Sequence, residues 1–218
     1  MDISHVGSHE VLLDLWENNF SNDNHFNRDG IISKQHWDNT DIKVLFVLKE
    51  TNKAKQNIIT AISNALVNSS SGWWKGKVLR RIGRLAYGLI NYTGDIPSFE
   101  EAKKHGKSAT LNIAYINMRK TSGGARTNEK SFNKHVEEYA PYIKKQIELI
   151  SPDIVVLGGT YKQLKKFVYP ELTRICERIH KHNEMIFINA FHPASRTSAK
   201  GLYEQVLNSY DSYQKSYK

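Results

Sequence analysis

Four uninterrupted apolar runs limit the fold of this 218-residue chain more than any other feature of its sequence. They cover residues 44–48, 113–116, 154–157 and 185–188, and polar or charged residues follow each of them. Runs of this kind are typical of strands buried on both faces, as in a parallel sheet. Between the runs, apolar residues recur at helical spacing, for example over 139–150. The pattern predicts an α/β fold, with a small four-stranded parallel sheet flanked by helices on both faces.

The chain shows no repeat and no linker rich in proline and glycine, so we expect a single domain over residues 1–218. Residues 42–218 would form the α/β core, and residues 1–41 an irregular N-terminal extension with one short helix. The Asn-, Asp- and His-rich stretch 18–41 is predicted to lie on the surface. Apolar spacing over 164–179 predicts a further helical region, interrupted at a proline.

Composition excludes several classes of protein. No apolar run approaches the ~20 residues that span a bilayer, and the N-terminus lacks the pattern of a signal peptide. We therefore expect a cytoplasmic protein without a membrane partner. A single cysteine, Cys176, excludes a disulfide framework, a four-cysteine zinc site and an iron–sulfur cluster held by this chain alone. We expect Cys176 on the apolar face of a helix, and we expect neither a metal nor a cofactor.

The charge of the chain favours a polyanionic partner. The sequence has 31 Lys and Arg residues against 22 Asp and Glu residues, which gives a formal net charge of +9. An excess of this size favours nucleic acid first and an anionic membrane surface second. Charge alone does not identify a site, so the positions of individual side chains must do so.

Chemically useful side chains follow all four apolar runs. Glu50 follows the first run, Asn117 the second, Gly159 the third and His192 the fourth. Ligands of open α/β sheets bind beyond the carboxyl ends of the strands, so these groups are predicted to converge at one edge. A carboxylate, an amide and an imidazole can together activate water, hold a planar ligand and donate to a developing anion.

The segments after these runs resemble, in order and spacing, the motifs of the uracil-DNA glycosylase superfamily over about residues 43–203. The matching segments are Val47-Leu48-Lys49-Glu50-Thr51-Asn52, Ile116-Asn117-Met118-Arg119-Lys120-Thr121, 152–163 and His192-Pro193-Ala194-Ser195. The resemblance implies a small parallel sheet and removal of a base from a flipped-out nucleotide of DNA. It also implies that Glu50 positions the attacking water, Asn117 reads the base edge and His192 donates to the base oxygen.

The chain departs from the superfamily at several positions. The usual first motif has glycine and proline where Leu48 and Thr51 stand. Members that exclude thymine have a tyrosine where Asn52 stands, so the resemblance implies room for a substituent at the 5-position of the base. Trp73 and Trp74, in the insertion between the first two strands, are candidates for an aromatic platform under the base. Packing in the core is the alternative role for this pair.

Glycines, hydroxyl groups and cations at the same edge are candidates for binding DNA phosphates. The candidate DNA-binding residues are Arg119, Lys120, Ser122, Gly123, Arg126, Gly159, Thr160, Ser195 and Arg196. Backbone N–H groups of glycine-rich turns and the cations of Lys and Arg suit phosphate oxygens. By resemblance, Arg196 stands where relatives insert a wedge into the duplex.

Together these observations predict a monomeric DNA glycosylase that hydrolyses the N-glycosidic bond of uracil or a 5-modified pyrimidine and leaves an abasic site. Its partner would be single- or double-stranded DNA, with nucleoid association if the source is bacterial. Superfamily relatives in bacterial defence excise bulky cytosine derivatives, so modified phage DNA is one source of such a base. The alternative is a catalytically inactive nucleic-acid-binding protein on the same fold, acting in phage defence.

Two other kinds of site are less well supported by the sequence. Residues 124–131 almost match a phosphate-binding P-loop, but Glu129 stands where the second glycine belongs and carries the wrong charge. His5 and His9 are four residues apart and could bind a metal on a helix, but no carboxylate partner accompanies them.

Overall fold

A seven-stranded sheet forms the centre of the protein. The structure, a computed structural model, describes residues 3–20, 25–52, 57–67, 72–124 and 126–217, except for the side chain of Trp73. The strands are β1 (Gly30–Ile31), β2 (Val44–Leu48), β3 (Ile113–Asn117), β4 (Ile154–Gly158), β5 (Thr173–Arg174), β6 (Ile179–His182) and β7 (Met185–Ala190). Their order across the sheet is β1-β3-β2-β4-β7-β6-β5.

The four predicted strands lie next to one another and run parallel. They are β3, β2, β4 and β7, and register pairs such as Val44 with Ile113 and with Ile154 join them. All residues of β2, β3 and β4 are buried, as their continuous apolar runs predict. The α/β fold class is therefore confirmed.

The prediction of a four-stranded, all-parallel sheet is wrong, because short antiparallel strands extend the sheet on both sides. β1 pairs with β3 on one side, and β6 pairs with β7 on the other, with β5 beyond it. β1 has only two residues and lies in a polar stretch, so it gives no periodic signal. The outer edges of β3 and β7 would otherwise present unpaired backbone groups, and the added strands satisfy them.

Helices cover both faces of the sheet. The helices are α1 (His9–Asn18), α2 (Lys34–Asp38), α3 (Ile58–Val67), α4 (Gly72–Lys75), α5 (Lys77–Ile90), α6 (Phe99–Ala109), α7 (Glu129–Glu138), α8 (Ala140–Ile150), α9 (Tyr161–Gln163) and α10 (Ala199–Tyr217), with a 3₁₀ turn at Thr110–Asn112 and a π-helical turn at Leu164–Val168. Helices α3, α5, α6 and α10 enclose one hydrophobic cluster, and α1, α2, α7 and α8 enclose the other. Alternate residues of β2 point into the two clusters, as the pleat of a strand requires. No helix of the described residues is both long and apolar enough to cross a bilayer.

The region 164–179 differs from its predicted helix. Helical structure ends at Val168, and the chain then forms the β5–β6 hairpin along the edge of β7. Cys176 lies in the turn of this hairpin, half-buried against a hydrophobic cluster, and not within a helix. The apolar residues of this segment keep helical spacing, so the pairing of β6 with β7 leaves no sign in the apolar pattern.

The N-terminal residues are more regular and more buried than predicted. Besides α1 they contain β1 and α2, and Phe26, Asp29 and Trp37 are buried. The expectation of a surface segment over 18–41 is therefore wrong for the part of that segment that the structure describes. Asp29 can be buried because it pairs with Lys120, which lies far away in the sequence. No residue near Asp29 in the sequence indicates such a partner.

Candidate active site

A cleft of about 370 Å³ opens at the carboxyl end of the parallel strands. It brings together Glu50, Asn52 and His192, which the sequence analysis places at one edge of the sheet. Tyr115 of β3 and Val78 of α5 also line it and give it apolar walls. The cleft therefore combines a carboxylate, an amide and an imidazole with a partly apolar enclosure.

Glu50 is held in place from two sides. Nη1 of Arg119 donates to Oε2 of Glu50 over 2.8 Å, and the Glu50 side chain is only 4% exposed. On the other side lies Gly123, where a Cβ atom would overlap the Glu50 carboxylate. The N–H of Gly123 also donates to the carbonyl of Thr51 over 2.8 Å, which ties the loop after β3 to the loop after β2. Gly123 thus serves the packing of Glu50, which leaves its predicted phosphate contact without direct support.

Arg119 is an internal partner of this carboxylate. Its second guanidinium nitrogen, Nη2, donates to Oγ of Ser131 over 2.8 Å, and its guanidinium lies 5.6 Å from the ring centre of Phe132. With both nitrogens engaged and most of the side chain buried, Arg119 cannot serve as the freely exposed phosphate contact predicted from the sequence. Its position instead places a fixed positive charge behind Glu50.

His192 presents one ring nitrogen as a donor. Its Nδ1 accepts a hydrogen bond of 2.9 Å from the backbone N–H of Ala194, so the neutral ring carries its proton on Nε2. Nε2 has no hydrogen-bond partner among the described residues. Burial lowers the pKa of His192, and the nearby charges of Lys49 and Lys77 lower it further. At neutral pH the ring is therefore a neutral donor at the cleft.

Helix α5 fixes the loop that carries His192. Nη1 of Arg81 donates to the carbonyl of Pro193 over 2.9 Å and to that of Ser195 over 3.2 Å. The hydroxyl of Ser195 is buried and has no partner among the described residues, so its predicted contact with DNA is not supported. Arg196, the next residue, is exposed and remains a candidate DNA contact, as does the exposed Arg126.

Asn117 is buried at the end of β3. Its side-chain nitrogen and oxygen have no hydrogen-bond partner within the described part of the chain. Asn117 does not line the cleft, whereas Tyr115, two residues earlier on the same face of the strand, does. Burial raises the pKa of Tyr115, and the charge of Asp29 raises it further. Asn117 is thus buried away from the cleft lining, and its predicted role in reading a base edge is without direct support.

A buried ion pair holds the backbone of Asn117. Oδ2 of Asp29 accepts from the N–H of Asn117 over 2.8 Å, and Nζ of Lys120 donates to the carbonyl of Asn117 over 2.8 Å. Lys120 and Asp29 bind each other over 2.6 Å, and both side chains are fully buried. Oε1 of Gln146 accepts a further hydrogen bond from Lys120. The predicted DNA contact of Lys120 is therefore wrong, because its ammonium group cannot reach solvent.

Other predicted DNA-binding residues also prove structural. Thr160 is fully buried, and its hydroxyl donates to the carbonyl of Val47 over 3.0 Å, so it cannot bind phosphate. Ser122 lies within hydrogen-bond distance of Asn27 and Thr51, both buried. Gly159 is partly exposed with a positive φ of 74°, and its N–H donates to the carbonyl of Ala190. Because the N–H of Gly159 is already engaged within the fold, its predicted contact with a phosphate is without direct support.

The two adjacent tryptophans do not form a platform in the cleft. Trp74 is half-buried against a hydrophobic cluster, with Nζ of Lys107 6.0 Å from its ring centre, and it does not line the cleft. The Trp73 side chain lies outside the described residues. For Trp74, packing is therefore the role that the structure supports.

Comparison with known proteins assigns the chain to no family. No protein-family model matches the sequence, and no curated protein matches it. Within the described ranges, no group of three or more His, Cys, Asp or Glu side chains could hold a metal ion. His9, one of the two N-terminal histidines considered above, lies 3.0 Å from the Gln146 amide.

Proposed function

We propose that this protein is a DNA glycosylase of the uracil-DNA glycosylase superfamily that releases uracil or a 5-modified pyrimidine and leaves an abasic site. The observation that carries the proposal is the single cleft lined by Glu50, Asn52 and His192. The four adjacent parallel strands support it further, because two of their ends supply the carboxylate and the imidazole.

The reaction would need charge at two places. As the bond between C1′ and the base nitrogen breaks, the sugar becomes cationic and the base takes the electron pair. The Glu50 carboxylate, fixed by Arg119, would stabilise the sugar and position the water whose oxygen bonds to C1′. The Nε2–H of His192 would donate to the base oxygen as negative charge develops there, and the proton lost by water would end on the base.

Asn52 bears on which base is accepted. Its side chain is exposed and lines the cleft, and it stands where superfamily members that exclude thymine have a tyrosine. In this proposal the smaller amide would leave space beside the 5-position for a hydroxymethyl or larger group. Modified phage DNA is one source of such a base.

Base release from synthetic oligonucleotides tests the proposal. Single- and double-stranded substrates would carry uracil, hydroxymethyluracil, hydroxymethylcytosine or glucosylated hydroxymethylcytosine, and alkali would reveal abasic sites. We expect release from at least one of them, lost in Glu50→Gln and in His192→Ala. Glu138→Gln, at an exposed carboxylate of α7, is the matched control and should retain activity. Absence of release across the whole panel would reject the proposal.

One observation favours the alternative of a nucleic-acid-binding protein without catalysis. Glu50 is almost fully buried and already engaged by Arg119, which limits its contact with a substrate water. Such a protein would bind the same oligonucleotides with salt-sensitive affinity, would release no base, and would keep its affinity in Glu50→Gln.

A further inference from the structure

A second cleft, of about 480 Å³, adjoins the first at the edge of the sheet. Lys49 and His192 line both clefts, so the two form neighbouring compartments on either side of these residues. The second compartment also contains Asn189, Phe191 and Lys162. None of these three is used by the proposed chemistry.

Phe191 presents an aromatic ring to solvent. Phe191 is 46% exposed, and the guanidinium of Arg178 lies over its ring, 5.2 Å from the ring centre. The backbone is fixed as well, because the N–H of Phe191 donates to Oε1 of Gln205 over 3.1 Å. An exposed aromatic ring on a fixed backbone is the feature on which proteins stack unpaired bases.

Asn189 supplies a polar group to the same compartment. Nη1 of Arg178 donates to its backbone carbonyl, whereas its side-chain amide has no hydrogen-bond partner among the described residues. An amide can donate and accept at once, and every base edge offers a complementary pair of groups. Phe191 and Asn189 thus provide a stacking face and an edge reader in one cleft.

An ion pair lies at the boundary between the compartments. Lys49 lies there and binds the Glu129 carboxylate, which also accepts a hydrogen bond of 3.2 Å from Nε2 of Gln163. Lys162 adds an exposed ammonium group to the second compartment. A phosphodiester linking two nucleosides, one in each compartment, would meet Lys49 and would compete with Glu129 for it.

We propose that the second compartment binds the nucleotide next to the one excised, with its base on Phe191, its edge at Asn189 and the linking phosphate at Lys49. A base held in this way has left its own stack, so the preferred substrate is single-stranded DNA. The identity of the first nucleotide rests on the proposed function, whereas the stacking site can be tested without any base release.

Fluorescence anisotropy with a labelled single-stranded 11-mer, one deoxyuridine among thymidines, tests the site. We expect Phe191→Ala to weaken binding about tenfold, because the variant removes the aromatic surface on which the base would stack. Phe191→Trp should retain affinity, which excludes a general defect in folding. Tyr217→Ala, at an exposed aromatic residue of α10, is the matched control and should leave affinity unchanged. Glu129→Gln should strengthen binding severalfold, because it releases Lys49 for the phosphate.

Spacer oligonucleotides make the test specific. Abasic spacers on both sides of the deoxyuridine should weaken binding to the unmodified protein and abolish the effect of Phe191→Ala. The proposal is overturned if Phe191→Ala behaves like Tyr217→Ala, or if its effect persists with the spacers. Base release without an effect of Phe191→Ala on binding would reject the stacking site and support the proposed glycosylase activity. An effect of Phe191→Ala without base release would support the stacking site and reject the glycosylase activity.

Discussion

Arg119 and Lys120 are neighbours in the sequence, and each pairs with a distant carboxylate, yet the two ion pairs lie in different surroundings. Arg119 binds Glu50 beside the cleft, whereas Lys120 binds Asp29 within the interior. The two residues lie in the bend that follows β3, and their side chains leave this bend toward different surroundings, so one basic dipeptide supplies both pairs. Two adjacent cations that suggest a phosphate site can therefore serve two different internal carboxylates.

The interior pair depends more strongly on its partners. Burial lowers the pKa of the Lys120 ammonium, and the Asp29 carboxylate opposes that effect. Together the two groups satisfy both backbone polar groups of Asn117, and Gln146 binds both of them. The pair at the cleft binds fewer neighbouring groups, and its carboxylate lines the cleft with 4% of the Glu50 side chain exposed. We therefore expect the interior pair to determine stability and the cleft pair to determine activity.

The largest effect should come from Lys120→Met, which leaves the Asp29 carboxylate buried without a counter-charge. Removing one partner of a buried pair costs about 3–5 kcal/mol, and we expect a loss of this size in the free energy of unfolding. Urea denaturation followed by circular dichroism measures it. The double variant Asp29→Asn, Lys120→Met should recover part of the loss. A loss below about 1 kcal/mol in the single variant would contradict the assigned role of the pair.

Glu50→Gln should have the opposite profile. The amide has nearly the shape of the carboxylate and can still accept from Arg119, so we expect the free energy of unfolding to fall by about 1–3 kcal/mol, less than in Lys120→Met. Base release should fall by about 10²-fold or more, because the variant removes a charge aimed at the developing sugar cation. Single-turnover assays beside Glu138→Gln measure this. A large loss of stability with activity retained would assign Glu50 to structure.

The pH dependence of stability tests the surroundings of His135, because the charges of both Arg119 and Lys120 act on its ring. Burial, followed by these two charges, lowers its pKa from 6.5 to about 3. Below pH 6.5 the unfolded chain therefore binds more protons than the folded one. The contribution of His135 to the free energy of unfolding is complete above that pH and is lost as the pH decreases. The slope should approach about 1.4 kcal/mol per pH unit between pH 6 and pH 4.

Two variants separate His135 from the other histidines in this pH test. His135→Gln should reduce the slope of unfolding free energy against pH, measured by urea denaturation at several pH values. His25→Gln, at an exposed histidine, should leave it unchanged. Burial also lowers the pKa of His9, His180 and His192, so a residual slope of the same sign should remain. An unchanged slope in His135→Gln would show that the pKa of this ring is not lowered in the folded protein.

The sequence predicts the parallel core well and the ion pairs poorly, for a physical reason. Residues 44–48 are buried on both faces of the sheet, and their continuous apolar run predicts this without information from the rest of the chain. Glu50 and His192 follow from the rule that parallel strands end at one edge. By contrast, Asp29 lies in a polar stretch and is buried only because a partner about ninety residues away neutralises it. Pairings between distant segments leave no periodic signal, so Lys120 could not be distinguished from an exposed cation.

The smallest expected effects concern the cations that remain exposed at the edge. If Arg126 and Arg196 meet phosphates, each alanine variant should weaken binding to a single-stranded oligonucleotide a fewfold at low salt. Each should also reduce the slope of log affinity against log salt by about 1, because one fewer counterion is released. Lys34→Ala, at an exposed lysine on α2, is the matched control. Equal slopes in all three variants would mean that neither arginine contacts DNA, and the positive surface would then have to be sought at Lys49 and Lys162.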